Sequence, residues 1–252
     1  LSAMSIIIKS PSELAIMREA GRIVAVILDV LMKEVRPGIT TGRLDAIAVQ
    51  WFKKLGAKAS FKGYRGFPAS VCVSVNDEVV HGIPGSRVLK EGDIVAIDVG
   101  SIYNGFQGDA AVTVGVGRIS KGAQALIDAT RGALESGVRA ARVGAHLGDV
   151  SAAIQSYVEA RGFSVVREYV GHGIGREMHE PPQIPNYGTP GQGPILREGM
   201  TLALEPMVNM GDWRTKVQPD GWTVVTADGS LSAHFEHTIA IRGDQAEILT
   251  RL

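Results

Sequence analysis

Apolar residues near the start of the chain recur at helical spacing. Leu14, Met17, Ile23, Val24, Ile27, Leu28 and Leu31 form one stripe behind Ser10-Pro11-Ser12-Glu13. A capping hydroxyl, a proline in the first turn and an early acid mark a helix start, and Pro37-Gly38 marks its end. The spacing predicts a second helix over about Thr41 to Leu55, closed by Gly56. The pattern then changes to short β-branched runs at Ser70 to Val75, Ile94 to Val99 and Ala110 to Val116, which predict strands. Past Gly117 the order begins again, with helices from about Ser120 to Val143 and Leu147 to Arg161. Strands follow near Val165, Leu202, Val224 and Ile239. The stretch Pro181 to Pro194, rich in Pro and Gly, reads as a long loop.

The second half repeats the first. Arg36-Pro37-Gly38 with Gly42 matches Arg142-Val143-Gly144 with Gly148 at an offset of 106, and Glu91 through Asp98 matches Glu198 through Glu205 at an offset of 107. His81-Gly82-Ile83 resembles His172-Gly173-Ile174 at an offset of 91. Matches in the same order argue for two half-domains, about 4–117 and 118–252, related by a pseudo-twofold, each a helix pair packed on strands. Asp98 and Glu205 then become equivalent positions facing each other across a central cleft. Leu1-Ser2-Ala3 reads as a remnant of an expression tag, leaving 4–252 as a single domain.

The strand predicted from Ile94 to Val99 is apolar on both faces, and Asp98 interrupts it. A carboxylate there is costly unless a donor, a cation or a metal compensates it. Asn104-Gly105 is a strong hairpin signal, and folding back at that point brings Asp109 beside Asp98. Two adjacent carboxylates repel. Either a hard divalent cation sits with them, or Asp98 caps a loop and Asp109 belongs to a turn.

Composition narrows the function classes. With 252 residues, 45% of them hydrophobic, the chain can bury a sizeable core. Its 26 basic and 26 acidic side chains balance, which predicts no electrostatic grip on nucleic acid or membrane. The single cysteine, Cys72, excludes a disulfide framework and a cysteine-rich zinc module, and it fits a reducing, cytoplasmic compartment. The longest apolar stretch, Ile23 to Met32, is broken by Asp29 and too short to span a bilayer.

Asp98, Asp109, His172, Glu205 and Glu236 stand out as polar residues in apolar or glycine-rich surroundings. Four carboxylates and one imidazole suit two divalent ions, with Mn, Fe or Co favoured over a thiolate-selected metal. A single calcium ion is open on ligand type but would not call for the histidine. Two such ions about 3.5–4 Å apart hold a water, lower its pKa and polarise a carbonyl, which is metal-assisted hydrolysis.

His172, Glu205 and Glu236 sit in longer motifs, and others accompany them: Gly66-Phe67-Pro68, Asn76 through Pro84 with His81-Gly82-Ile83, Gly171-His172-Gly173-Ile174-Gly175, His179-Glu180-Pro181-Pro182, Leu204-Glu205-Pro206 and Phe235-Glu236-His237-Thr238. From Met4 onward the chain resembles the methionine aminopeptidases, in particular the type I enzymes of bacterial form. The resemblance implies an α+β "pita-bread" fold, with two pseudo-twofold-related halves of helices on a curved antiparallel sheet. It implies removal of the first methionine from peptides and nascent proteins when the second residue is small, by attack of a bridging water on the scissile carbonyl. Asp98 would chelate one metal, Asp109 and Glu236 would bridge both, and His172 with Glu205 would hold the other. Glu205 would also be the general base, with His81 and His179 at the scissile amide. Tyr64, Phe67, Cys72, Met178 and Trp222 would line the methionine pocket, where soft or flat side chains suit a thioether. The metals would be Mn, Fe, Co or Zn, with availability deciding. A monomer that meets nascent chains transiently at the ribosome is implied, although no basic patch marks such a contact.

Departures from the family pattern are Gln107, where many relatives carry His, and Phe61, where some bacterial relatives carry a second cysteine. Of the remaining histidines, His146 reads as a helix-start residue and His234 as a half-exposed strand residue, while His237 either supports a ligand or is structural. The alternatives are an X-Pro aminopeptidase or prolidase, disfavoured by the few residues before the first helix, and a non-catalytic pita-bread binding module, disfavoured because all five ligand positions are kept.

Overall fold

The computed structural model describes residues 5–252; the stretch Leu1-Ser2-Ala3 lies outside them. Helix α1 (Pro11–Glu34) begins at Ser10, whose hydroxyl accepts from the Glu13 amide while the Glu13 carboxylate accepts from the Ser10 amide, a closed capping box. Thr40 caps α2 (Thr41–Lys54) and Ser120 caps α3 (Lys121–Ala140) through the same kind of hydroxyl contact. Helix α4 (Leu147–Glu159) opens at His146, whose main-chain N–H donates to Asp149 at 2.8 Å. His146 is therefore the helix-start residue its position suggested.

Among the described residues the strands pair antiparallel in four sheets, two of which carry the site. One is built on the long hairpin Ile94–Tyr103 and Phe106–Gly115, with Cys72–Val75 and Lys58–Ala59 alongside Ile94–Tyr103. Its turn is Asn104-Gly105, both at positive φ (46° and 78°), as a two-residue hairpin turn requires. The other runs in the order Gln245–Ile248, His237–Arg242, Thr201–Leu204, Gly171–Gly173, Glu180–Ile184. That last strand corrects the expectation of one long loop from Pro181 to Pro194. Pro181 and Pro182 have no N–H to give a ladder, but an edge strand is paired on one side only.

Each half has its own apolar core. Ile23, Ile27, Leu31, Leu44 and Phe52 of α1 and α2 pack on Val73, Val95 and Ile97. Leu126, Leu134, Val150 and Ile154 of α3 and α4 pack on Leu202, Leu204 and Ile239. The main-chain bonds repeat as the cores do. Gly38 donates to Leu89 at 2.8 Å and Gly144 to Leu196 at 2.9 Å; Thr41 donates to Arg87 at 2.9 Å and Leu147 to Pro194 at 3.0 Å.

At the seam the symmetry can be followed to single residues. Ala111 and Glu236 exchange both main-chain bonds, at 2.9 and 3.3 Å, so the pseudo-twofold passes through that pair. On one side of it the Thr238 hydroxyl accepts from the Asp109 amide at 3.0 Å and donates to the Asp109 carbonyl at 2.8 Å. On the other side the Thr113 hydroxyl does the same for His234, at 2.9 and 2.8 Å. Asp109 and His234 are therefore counterparts. The offset-91 match does not survive in three dimensions. His172 pairs with Ala203 as Ser74 pairs with Ala96, so the counterpart of His172 is Ser74, while His81 sits in a loop at φ 61°.

Candidate metal centre

The register of the long hairpin sets the first two acids. Asp98 stands opposite Ala111, and Asp109 stands opposite Gly100. The two carboxylates share a face as diagonal neighbours, not as a directly opposed pair. Across the seam, Glu236 is fixed by its exchange of bonds with Ala111, and Glu205 follows the strand Thr201–Leu204. His172 lies between two glycines because neither neighbour has room for a side chain. A Cβ on Gly171 would strike the Ala203 carbonyl, and one on Gly173 would strike the Pro181 carbonyl.

The His172 ring has a defined tautomer. Nδ1 lies 2.9 Å from the Gly173 carbonyl oxygen, which can only accept, so Nδ1 carries the hydrogen. Nε2 is left with a free lone pair, 3.5 Å from Glu205 Oε1. Burial, and His179 beside it, bring the pKa of His172 down to about 3, so the lone pair stays available. Asp109, His172 and Glu236 each offer a ligand atom within 4.8 Å of the others.

The carboxylates fit a cation and little else. Asp98 Oδ1, Asp109 Oδ1 and Glu236 Oε1 are buried and have no hydrogen-bond partner among the described residues. Burial lifts the pKa of Asp98 to about 7. Asp109 is pushed well above the usual carboxylate range by burial and then by Glu236 and Asp98. Glu205 is raised by burial, Asp109 and Asp98, and Glu236 by burial, Glu205 and Asp98. Four acids that resist ionisation because they are buried, three of them also because of their acidic neighbours, are what a divalent cation would relieve.

All of these groups face one cavity of about 290 Å³. Every residue that the resemblance assigned to the site lines it: the ligand set Asp98, Asp109, His172, Glu205 and Glu236, the histidines His81 and His179, and the wall of Tyr64, Phe67, Cys72, Met178 and Trp222. Phe61 joins the wall, its ring edge-on to Phe67 with centroids 6.5 Å apart. Gln107 does not. Its side-chain oxygen accepts from the Ser60 hydroxyl at 2.6 Å instead, so this departure lies outside the cavity. A wider groove of about 590 Å³ between α1 and α3 touches the far side of Glu236 but gathers mainly apolar side chains and exposed charges.

Tyr64 does more than line the wall. Its hydroxyl lies 2.8 Å from His179 Nδ1, and the two rings are 5.4 Å apart. With the phenol donating to Nδ1, the Nε2–H of His179 is free to donate into the cavity. His179 is neutral near pH 7, its pKa lowered by burial and by Arg65, and His81 is brought down to about 4 by burial and by His179. Tyr64→Phe should therefore lower kcat about tenfold with little change in KM, a split that steady-state kinetics on a methionyl peptide would reveal.

Cys72 pairs with Asp98 across the sheet and is buried. Burial, with Asp98 and Asp109 next, raises its thiol pKa, so native protein at mildly alkaline pH should resist iodoacetamide while the unfolded chain reacts.

Three lining residues escaped the sequence reading. Val80, Arg65 and Tyr169 line the cavity, Tyr169 edge-on to His81 at 5.9 Å. They carry no signal in a single sequence, because nothing there distinguishes them from other surface and strand residues. His234, behind the cavity, was expected to be half-exposed. It is 1% exposed, because its short strand is paired with Met207–Asn209 and covered on both faces. His237, by contrast, turns to the Thr250 hydroxyl at 2.9 Å and lines the far groove.

A pita-bread fold whose halves meet on a buried, carboxylate-rich cavity defines a metallopeptidase, and residues 15–243 match the model of Metallopeptidase family M24. The chain is 57% identical to methionine aminopeptidase 1 of Bacillus subtilis (strain 168), over 98% of this chain and 100% of that protein. It superposes on a crystal structure of methionine aminopeptidase from Thermotoga maritima with a TM-score of 0.97 and 55% identity, covering 98% of this chain and 100% of that one. A prolidase from Pyrococcus furiosus shares the fold at 22% identity and a TM-score of 0.79, covering 98% of this chain and 66% of that one. The chain belongs to metallopeptidase family M24 and, within it, to the methionine aminopeptidases. Among the described residues no helix is long and apolar enough to cross a membrane.

Proposed function

We propose that the chain hydrolyses the first peptide bond of methionyl peptides and nascent proteins whose second residue is small, with two divalent ions as cofactor. The observation that carries this reading is the cavity itself. Unpartnered buried carboxylate oxygens and the free lone pair of His172 converge beside a wall of aromatic, thiol and thioether side chains. Asp98 with Asp109 and Glu236 would hold one ion, and His172 with Glu205 and the same two acids the other. When bound, the pair supplies Lewis acidity and an acidified water; Mn, Fe, Co and Zn all accept these ligands.

The protein's own residues do the rest. Glu205, raised in pKa, is suited to take the proton of the attacking water and return it to the leaving amine. His179, oriented by Tyr64, and His81 stand as neutral N–H donors for the oxyanion that forms at the scissile carbonyl. Phe67, Met178 and Trp222 exclude water around the methionine thioether. Both halves, residues 4–252, would form one catalytic unit, acting as a cytoplasmic monomer on chains leaving the ribosome. His179→Ala should lower kcat about 100-fold while leaving bound metal unchanged, as metal analysis alongside kinetics would show.

The test is release of free methionine from Met-Ala-Ser and Met-Lys-Ser after stripping metal and adding back Mn, Co, Fe or Zn. Metal-dependent cleavage of the first peptide alone is expected. Cleavage of X-Pro peptides in its place would transfer the chain to the proline-directed peptidases, and cleavage of none would leave a binding module.

A further inference from the structure

One buried polar side chain beside the centre has no task in the mechanism above. The Nε2 of His234 has no hydrogen-bond partner among the described residues, and it stands 3.8 Å from Glu205 Oε2 and 3.9 Å from Glu236 Oε2. His234 does not line the cavity; it lies behind the two carboxylates that do. Once a bound cation ionises Glu205 and Glu236, a bare lone pair on Nε2 would face two carboxylates with no donor between them, so the tautomer that fits the metal-loaded centre carries the hydrogen on Nε2. The separations are too long for a direct hydrogen bond, and they suit one bridging water or a small turn of either carboxylate.

The direction of the ring is set by the backbone. The Thr113 hydroxyl clamps the His234 amide and carbonyl as the Thr238 hydroxyl clamps those of Asp109. The pseudo-twofold therefore aims both side chains at the same centre, one an acid and the other an imidazole. An orphaned donor buried at such a place is costly unless it finds an acceptor in the working state.

We propose that His234 is a positioning residue: its Nε2–H, directly or through one water, holds the Glu205 carboxylate in the orientation that receives the proton of the attacking water, and keeps Glu236 turned into the centre. This rests on the aminopeptidase reading. A base held in one orientation loses rate, not substrate affinity, when its support is removed.

The experiment compares wild type with His234→Leu, which withdraws the donor, His234→Asn, whose amide donor stops short of the Nε2 position, and His234→Gln, whose amide can still reach it. Three readouts are kcat and KM on Met-Ala-Ser with Mn, calorimetric titration of metal-stripped protein with Mn, and thermal unfolding of the metal-stripped protein. His234→Leu and His234→Asn are expected to lose about 10- to 100-fold in kcat with KM within about twofold, and to bind Mn about tenfold more weakly. His234→Gln is expected to stay within about threefold of wild type in both. Should His234→Leu not fold, the Asn and Gln pair decides. The role is overturned if His234→Leu and His234→Asn keep wild-type kcat and Mn affinity, or if His234→Gln is as defective as they are while unfolding like wild type. A wild type that binds Mn but releases no methionine would overturn the aminopeptidase reading itself, and the role with it.

Discussion

Replacing Asp109 or Glu236 with alanine is expected to abolish methionine release, lowering kcat/KM by about a thousandfold or more, and to strip the protein of bound metal. Both acids belong to the group whose ligand atoms converge within 4.8 Å, and both are pinned at the seam where the halves meet. Each backbone is held by bonds across that seam, which fixes the direction of both side chains. Asp98→Ala should be less damaging to metal content, since Asp98 lies outside the converging group. Metal analysis beside steady-state kinetics would measure both effects. An Asp109→Ala enzyme with full metal content and near-normal rate would show that the bridge is elsewhere.

The second large effect is on stability. In metal-free protein the raised pKa values of Asp98, Asp109, Glu205 and Glu236 mean that folding favours their protonated forms. Stability from these groups is fully present below their unfolded values and is lost as pH rises through the folded ones; for Asp98 that window runs from 3.8 to about 7. The buried histidines act in the opposite sense. His81 and His237, lowered to about 4, and His172 and His234, lowered to about 3, favour the neutral form, so their contribution is lost as pH falls from 6.5. The two sets oppose each other below 6.5, and above it the carboxylates act alone. Metal-free protein should therefore lose stability as pH rises beyond about 6.5, by about 1.4 kcal/mol per pH unit for each carboxyl that ionises only on unfolding. Metal-loaded protein should show a flat profile there and a higher Tm, because a bound cation favours the charged acids. Denaturant titrations of the two forms at pH 6.5 and at mildly alkaline pH would measure this. A metal-free protein that grows more stable over that interval would contradict the cavity's electrostatics.

The helices were readable because their signals are local. Ser10, Thr40 and Ser120 announce caps, and the apolar stripe of α1 needs no partner to be seen. The long hairpin was readable for the same reason, since Asn104-Gly105 names its own turn. Asp98 was conspicuous as a charge in an apolar run, and the offset of 107 tied it to Glu205. What stayed hidden depends on pairing across long separations. His234 looks like any residue of a short strand until Thr113, from the other half, is seen to clamp it. The edge strand Glu180–Ile184 was obscured by prolines that forbid a central strand but not an edge. The likeness of His81 to His172 misled because a tripeptide match carries no register; pairing, which gives Ser74 as the counterpart, does. Most of the proposed substrate wall came from family resemblance, since flat and sulfur-bearing side chains at those frequencies otherwise describe an ordinary core.

The measurement that bears most directly on the centre is an anomalous-scattering map of crystals soaked in manganese. Two peaks about 3.5–4 Å apart are expected in the cavity, with Asp109 and Glu236 touching both, Asp98 touching one, and His172 with Glu205 touching the other. Peaks elsewhere, or no peak among these five side chains, would contradict the assignment of the cavity as the catalytic centre.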